Sequence, residues 1–274
     1  MNNKKSLGAK LVAAPYYLWA AIFTVVPICI VLYYSFTDSN GKFTISNLGQ
    51  ISAYMDTFIL SICLGAIATV ICLLIAYPMA FIISQMSASK QRLVLILVML
   101  PMWINLLLRT YSLMNILEDE GIINNILSIV NLPPIHLINT KTAIVIGMVY
   151  NFLPYMILPI YTVMSRIETP VLEASKDLGS NWFQTFLRVV FPLSIPGIMS
   201  GITMVFVPSV STFYISQKLG GTMELIGDTI DRQFNRNNDF NSGAALSFIL
   251  MIMIFICMAV MNRFSDDGEE TIVV

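Results

Sequence analysis

Six apolar runs divide this 274-residue chain, each about as long as the roughly 20 residues needed to cross a hydrocarbon core. They lie near residues 15–36, 58–85, 93–114, 142–165, 197–215 and 243–261. A helix in lipid satisfies its backbone donors and acceptors internally, so this pattern specifies an all-α bundle of membrane-spanning helices in a single domain, 1–274. Composition agrees: 57% of residues are hydrophobic and 11% charged, against about 25% charged in a soluble domain. The formal net charge of −1 removes any bulk-charge case for nucleic-acid binding. Cys29, Cys63, Cys72 and Cys257 lie within apolar runs without metal-site spacing and read as small buried hydrophobes.

The first run follows Lys4, Lys5 and Lys10, like the basic region of a signal peptide. Its apolar stretch is too long for one and lacks a convincing cleavage site, so it reads as a retained anchor. With the N-terminus inside, nine basic residues fall on the cytoplasmic side: Lys4, Lys5, Lys10, Lys90, Arg92, Arg166, Lys176, Arg188 and Arg263. Six fall on the other: Lys42, Arg109, Lys141, Lys218, Arg232 and Arg236. That inside-positive bias places both termini in the cytoplasm, with the acidic tail from Asp266 to Glu270 as a solvated end. Pro27, Pro78, Pro101, Pro154, Pro159 and Pro208 interrupt spans, and each frees a carbonyl that lipid cannot satisfy. Such clustered kinks favour a transporter or channel over a simple anchor. Gly197 and Gly201 have the spacing of a close helix-packing face.

Between the fourth and fifth runs lies a polar island, residues 166–196. Thr169-Pro170 reads as an N-cap and first helical residue. Val171, Ala174, Ser175 and Leu178 share one face of the helix, and Glu173, Lys176 and Asp177 the other. Gly179 sits where a helix ends in a left-handed residue, and Ser180 is placed to cap a second helix over about Asn181–Val190. Pro192 and Pro196 would end that helix before the fifth span. On its own, this helix–Gly–helix elbow is either an interfacial hairpin linking two spans or a docking element. His136, in a Pro-rich loop without Cys or His nearby, receives no metal or catalytic role. No nucleophile–base arrangement points to an enzyme, and no Gly-x4-Gly-Lys-Ser/Thr phosphate loop occurs, so the chain is expected not to hydrolyse ATP.

Glu173-Ala174-Ser175, Gly179, Val189, Phe191 and Pro192 occupy the places and spacing of a known signature. The loop resembles the cytoplasmic coupling element of ABC-transporter permeases. Ser175 replaces an alanine of that pattern, Val189 an isoleucine and Phe191 a leucine. The resemblance implies a type I importer permease fold with six transmembrane helices, whose elbow fits a groove on an ATPase subunit. Glu173 would then make polar contacts in the groove, Ala174 would allow close approach and Gly179 would make the bend, with Ser175, Asp177 and Pro192 completing the coupling set.

The resemblance extends further. Leu100-Pro101-Met102-Trp103-Ile104-Asn105 with the run on to Tyr111, Gly121-Ile122-Ile123-Asn124-Asn125, Val149 to Tyr161, Phe206-Val207-Pro208 and Leu219-Gly220-Gly221 are similar to polyamine permeases, the spermidine/putrescine uptake systems. It implies a multi-pass subunit of a bacterial cytoplasmic membrane that moves polyamines by alternating access. Its implied partners are a second homologous permease, an ATPase dimer and an extracytoplasmic polyamine-binding protein. The chain would bind no cofactor, with ATP and Mg used by the ATPase. Import of thiamine, iron or phosphonate, or a non-transporting scaffold or receptor-like subunit, are the competing roles.

Relatives often carry Gly-Glu-Phe where this chain has Ser211-Thr212-Phe213, and the span centres hold no Asp or Glu. A polyamine path would rest on aromatic faces and neutral oxygens, with cation–π contacts of about 0.5–2 kcal/mol each. The candidates are Trp103, Asn105, Tyr150, Asn151, Tyr155 and Tyr214, each of which also fits an interface belt or helix packing. Arg109 is expected to snorkel outward or pair with Glu118, Asp119 or Glu120. The outer acids Asp38, Asp56, Glu118, Asp119, Glu120, Glu224, Asp228, Asp231 and Asp239 read as solvated loop charge or as a mouth that attracts polycations.

Overall fold

A computed structural model describes residues 15–38, 40–167 and 169–270, without the side chains of residues 48, 50, 169, 176, 262 and 264–270. The basic N-terminus, the acidic tail's side chains and the Thr169 cap therefore lie outside the described residues. So do both chain ends, on which the expected orientation and the retained anchor partly rest.

Helices in chain order are α1 (Pro15–Ser35), α2 (Met55–Ser84), α3 (Ala88–Met99), α4 (Leu106–Leu117), α5 (Ile122–Ile129), α6 (Lys141–Met164), α7 (Thr169–Asp177), α8 (Trp182–Ser211), α9 (Tyr214–Leu219), α10 (Ile226–Asn235) and α11 (Phe240–Glu270). Among the described residues, five helical stretches are long and apolar enough to cross a membrane: Pro15–Ser35, Ile51–Ser84, Lys141–Met164, Trp182–Ser211 and Phe240–Met261. The third expected crossing, 93–114, is broken. Ala88–Trp103 and Leu106–Ile129 meet at 93°. Pro101 sits in the 3-10 turn Leu100–Trp103, Ile104 is extended, and the Asn105 side chain accepts from the Leu107 amide at 2.8 Å, starting a new helix.

The other prolines interrupt less than expected. Pro78, Pro154, Pro159, Pro196 and Pro208 lie inside continuous helices. Pro192 does not stop the elbow's second helix either, which runs on as α8. A π-helical turn, Phe186–Val190, precedes it and relieves the clash a proline ring makes with the carbonyl four residues back. A π turn over Ala21–Val25 precedes Pro27 in the same way.

The chain forms two compact units. One comprises residues up to Tyr54 with Ile230–Ile252, the other Met55–Thr229 with the segment from Met253. In the first, α1 exposes Tyr16, Tyr17, Trp19 and Phe23, a surface open to lipid or a partner chain. Asn241 donates to the carbonyls of Tyr34 and Thr37, and Gln233 to the Tyr54 hydroxyl at 3.0 Å. Rings of Phe36 and Phe248 lie 5.6 Å apart.

The second unit is organised by α2, α6 and α8, packed on one another along small residues. Ala68, Cys72, Ala76 and Ala80, one per helical turn, are fully buried on α2. On α8, a Cβ at Gly197 would lie 2.9 Å from the Pro159 carbonyl oxygen, and one at Gly201 would lie 2.6 Å from the Met156 sulfur. The packing role expected of those two glycines is what the backbone approach requires. Of the four cysteines, only Cys72 is buried; Cys29 and Cys63 are exposed and Cys257 half-buried, because they sit on outward sides of their helices.

Candidate functional site

The elbow joins α6 to α8 at one end of the second unit. α7 ends in a left-handed Gly179, φ +80°. The Ser180 amide donates to the Ser175 carbonyl at 3.2 Å and closes the helix end. The second arm is capped by Asn181, not by Ser180: the Asn181 side chain accepts from the Gln184 amide at 2.8 Å, and the Gln184 side chain accepts from the Asn181 amide at 3.0 Å.

The two faces expected of α7 do not divide into a buried and an exposed side: of the apolar face only Ser175 is buried, and Glu173 and Asp177 of the polar face are exposed with the rest. Ser175 is buried, its hydroxyl 2.9 Å from that of Thr185, and so ties the two arms together. Leu172 packs on the core, against the cleft lined by Phe81, Gln85, Trp182, Phe186 and Val190. Val171, Ala174 and Leu178 point outward, Leu178 at 88% exposure, beside exposed Trp182 and Phe183. Glu173 and Asp177 are exposed as well, and Pro192 is half-buried in α8. The expected coupling set therefore divides: Glu173, Ala174 and Asp177 are presented to the outside, Gly179 shapes the bend, and Ser175 and Pro192 serve its construction.

Aromatic rings fix the second arm to α2. The Phe186 ring lies 5.7 Å from that of Tyr77 and 5.6 Å from that of Phe81, and stacks on Trp182 at 5.7 Å. The Tyr77 hydroxyl lies 3.0 Å from that of Ser194. On the other side, the Tyr161 hydroxyl of α6 donates to Gln91, whose amide donates to the Ser84 and Met86 carbonyls at the α2–α3 turn. The second arm is thus packed on α2, and the α2–α3 turn is tied to α6.

The opposite end of α8 carries a second, polar assembly. After Ser211 the backbone extends at Thr212 and enters α9. Gly227 packs on this break, where a Cβ would meet the Ser211 and Thr212 carbonyl oxygens at 2.6 Å. The Ile226 amide donates to Ser61 of α2 at 2.8 Å. Asp228, expected as solvated loop charge, is buried: Oδ2 accepts from the Leu225 amide at 2.8 Å, while Oδ1 has no partner. Burial pushes its carboxyl up to about 6. Arg109 also departs from expectation. It does not snorkel, and among the described residues it meets no acid; it is 6% exposed, with Nε and Nη1 unpartnered. Asp119 pairs instead with His136, at 2.7 Å on the surface.

Of the path candidates, Asn151 is fully buried and donates to the Gly147 carbonyl at 2.9 Å, with Thr110 at 3.5 Å. Trp103 and Asn105 are exposed at the α3–α4 break, and Tyr150 and Tyr155 are exposed on α6. Trp103, Tyr150 and Tyr155 do not stack on one another among the described residues. Tyr214 is different: its ring lies 6.2 Å from that of Tyr111, and the Lys218 ammonium sits 4.8 Å from the Tyr111 centroid and 5.8 Å from that of Tyr214. Neither Tyr111 nor Lys218 is among the residues expected from sequence. The i, i+4 spacing of Tyr214 and Lys218 could have found the lysine, whereas Tyr111 joins them only through the fold.

Residues 73–266 match the family described as binding-protein-dependent transport system inner membrane component. The chain belongs to that family. It is 36% identical over 274 residues to the spermidine/putrescine transport system permease protein PotB of Haemophilus influenzae, covering 96% of this chain and 95% of that protein. It is 33% identical to PotB of Escherichia coli K12, covering 90% of this chain and 94% of that one. A solved bacterial ABC transporter involved in import of the acidic polysaccharide alginate superposes with a TM-score of 0.71 at 15% identity, over 94% of both chains. A second alginate transporter structure, in complex with a pentasaccharide-bound periplasmic protein, gives 0.71 at 14% identity, over 93% of both chains. The fold is that of ABC-importer permeases, and the chain is a multi-pass inner-membrane transport component.

Proposed function

We propose that this chain is one of two permease subunits of an ATP-driven polyamine importer, coupled through its elbow to an ATPase subunit that holds ATP and Mg. The observation that carries the coupling is the outward apolar tip: Val171, Ala174, Leu178, Trp182 and Phe183 stand exposed on an element whose internal hydrogen bonds are closed. A surface loop with its polar atoms paired inside and its apolar side chains outside is built to meet a protein. Glu173 and Asp177 rim the tip with charge. The cargo class rests on the PotB relatives, whose similarity spans nearly the whole chain.

Closure of the ATPase pair on ATP moves the elbow toward its partner copy. The helix α8 continues without a break for 30 residues, about 45 Å, and carries that movement to α9 and Asp228 at the far end. The permease pair then opens away from the cytoplasm to take a polyamine from an extracytoplasmic binding protein, and hydrolysis resets it. In this arrangement the elbow and both chain termini are cytoplasmic. Membrane potential already draws cations inward by about 2.3 kcal/mol per charge per 100 mV, so ATP supplies gating and direction. Labelled spermidine uptake by the reconstituted complex should require the ATPase and fall when putrescine competes. Uptake that persists without the ATPase, or that only thiamine, iron or phosphonate inhibits, contradicts this assignment.

A further inference from the structure

We propose that Tyr111 and Tyr214 form an ammonium-binding site that Lys218 occupies as a tethered stand-in, and that a polyamine ammonium enters by displacing it. This rests on the polyamine assignment for its natural ligand, but the site itself stands on geometry. The two rings, at 71° to each other, present faces to one cation, with Nζ at 4.8 and 5.8 Å from their centroids. Both distances are within cation–π range. The influences that hold Lys218 protonated come from these two tyrosines, led by the Tyr111 hydroxyl.

The lysine side chain is an ammonium on a four-carbon stem, and each end of a linear polyamine is likewise an alkylammonium. A site that takes one fits the other. The span centres of this chain offer no carboxylate, so aromatic faces and neutral oxygens are what remain for holding a cation.

The ring contacts of Lys218 are with these two tyrosines. α9 is anchored by its other side, where Ile215, Ser216 and Leu219 are fully buried, the two aliphatic groups against Gly147 of α6. Tyr214 and Lys218 occupy the outward face of the same helix, one turn apart. A tethered ligand competes at high effective concentration and lowers the apparent affinity for a free one. Release therefore needs no new contact, only return of the lysine, which suits a site that must let its cation go. α9 begins three residues beyond the end of α8, so movement of the elbow reaches this site directly.

The test uses the intact transporter complex. Lys218→Ala and Lys218→Met should each lower the KM for spermidine uptake about three- to tenfold, as expected for freeing a site worth one or two cation–π contacts. Independently of transport, n-butylammonium should raise the thermal midpoint of the Lys218→Ala complex saturably. It should not do so in the complex carrying Tyr111→Leu as well, nor with native Lys218 in place. An unchanged KM with no butylammonium response in an assembled complex overturns the proposal. A butylammonium response in a complex that does not transport spermidine upholds the site and overturns the polyamine assignment instead.

Discussion

At the elbow, polar atoms are paired inside and apolar side chains are left outside, whereas the opposite half of the same unit leaves polar atoms unpaired inside. Ser175 meets Thr185, and Asn181 and Gln184 cap each other, while Leu178 stands in solvent. In the other half, Arg109, Asn151 and Asp228 each bury an atom without a partner. A closed hydrogen-bond network holds one geometry and transmits force. A partly satisfied one carries the desolvation cost of each unpaired group, which any arrangement that supplies a partner relieves. Under the proposed function, the closed end is the handle and the partly satisfied end is the one that changes.

The largest expected effect is at the bend. No atom lies within 4 Å of a Cβ built on Gly179, so space is not the obstacle there; the positive φ is. An L-residue pays about 1–2 kcal/mol for that conformation, and a β-branched one more. Gly179→Val should abolish uptake while membrane insertion, read by protease protection, stays intact. Gly179→Asn, which tolerates the left-handed region, should keep most of it. Normal uptake by the valine variant would break the comparison at the handle.

Gly201 presents the reverse case, with ordinary backbone and no space. Gly201→Val should lower stability by about 1–3 kcal/mol through overpacking against Met156, seen as a lower thermal midpoint in detergent.

At the changing end the test is pH. The folded Asp228 carboxyl titrates near 6, above its ordinary value of 3.8, so the folded state holds that proton more tightly than the unfolded one. Its stabilising contribution is complete below about pH 4 and is lost as pH rises through about 6, by about 2–3 kcal/mol at most. Asp228→Asn should flatten the stability profile between those values. A profile identical to that of the native protein would place Asp228 in water and remove the contrast. The smallest effect belongs to Ser175→Ala, which removes one hydrogen bond and should cost about 1 kcal/mol of elbow stability, visible as faster amide exchange in α7.

Much of the handle was legible in the chain. Gly179, the two arms and the Gly197–Gly201 contact follow from backbone and spacing rules that act locally. What could not be read there depends on partners distant in sequence. Which side of the nine-residue α7 turns inward is decided by Phe81 and Phe186, not by its own periodicity. The break at Ile104–Asn105 falls within a continuous apolar run, so hydropathy hides what Pro101 and an Asn cap impose together. Pro192 reads as a stop until the π turn before it absorbs the clash. Burial of Arg109 and Asp228, and the gathering of Tyr111 with Lys218, arise from helices that meet only in the folded chain.

The central claim is that the exposed apolar tip is where the ATPase docks. Binding of the ATPase subunit to the detergent-solubilised permease pair, measured by biolayer interferometry, tests it most directly with Leu178→Glu, a change at an 88% exposed position that leaves the fold's interior untouched. A loss of affinity of at least about tenfold, the effect of one hot-spot residue, is predicted. Native affinity in that variant would contradict it.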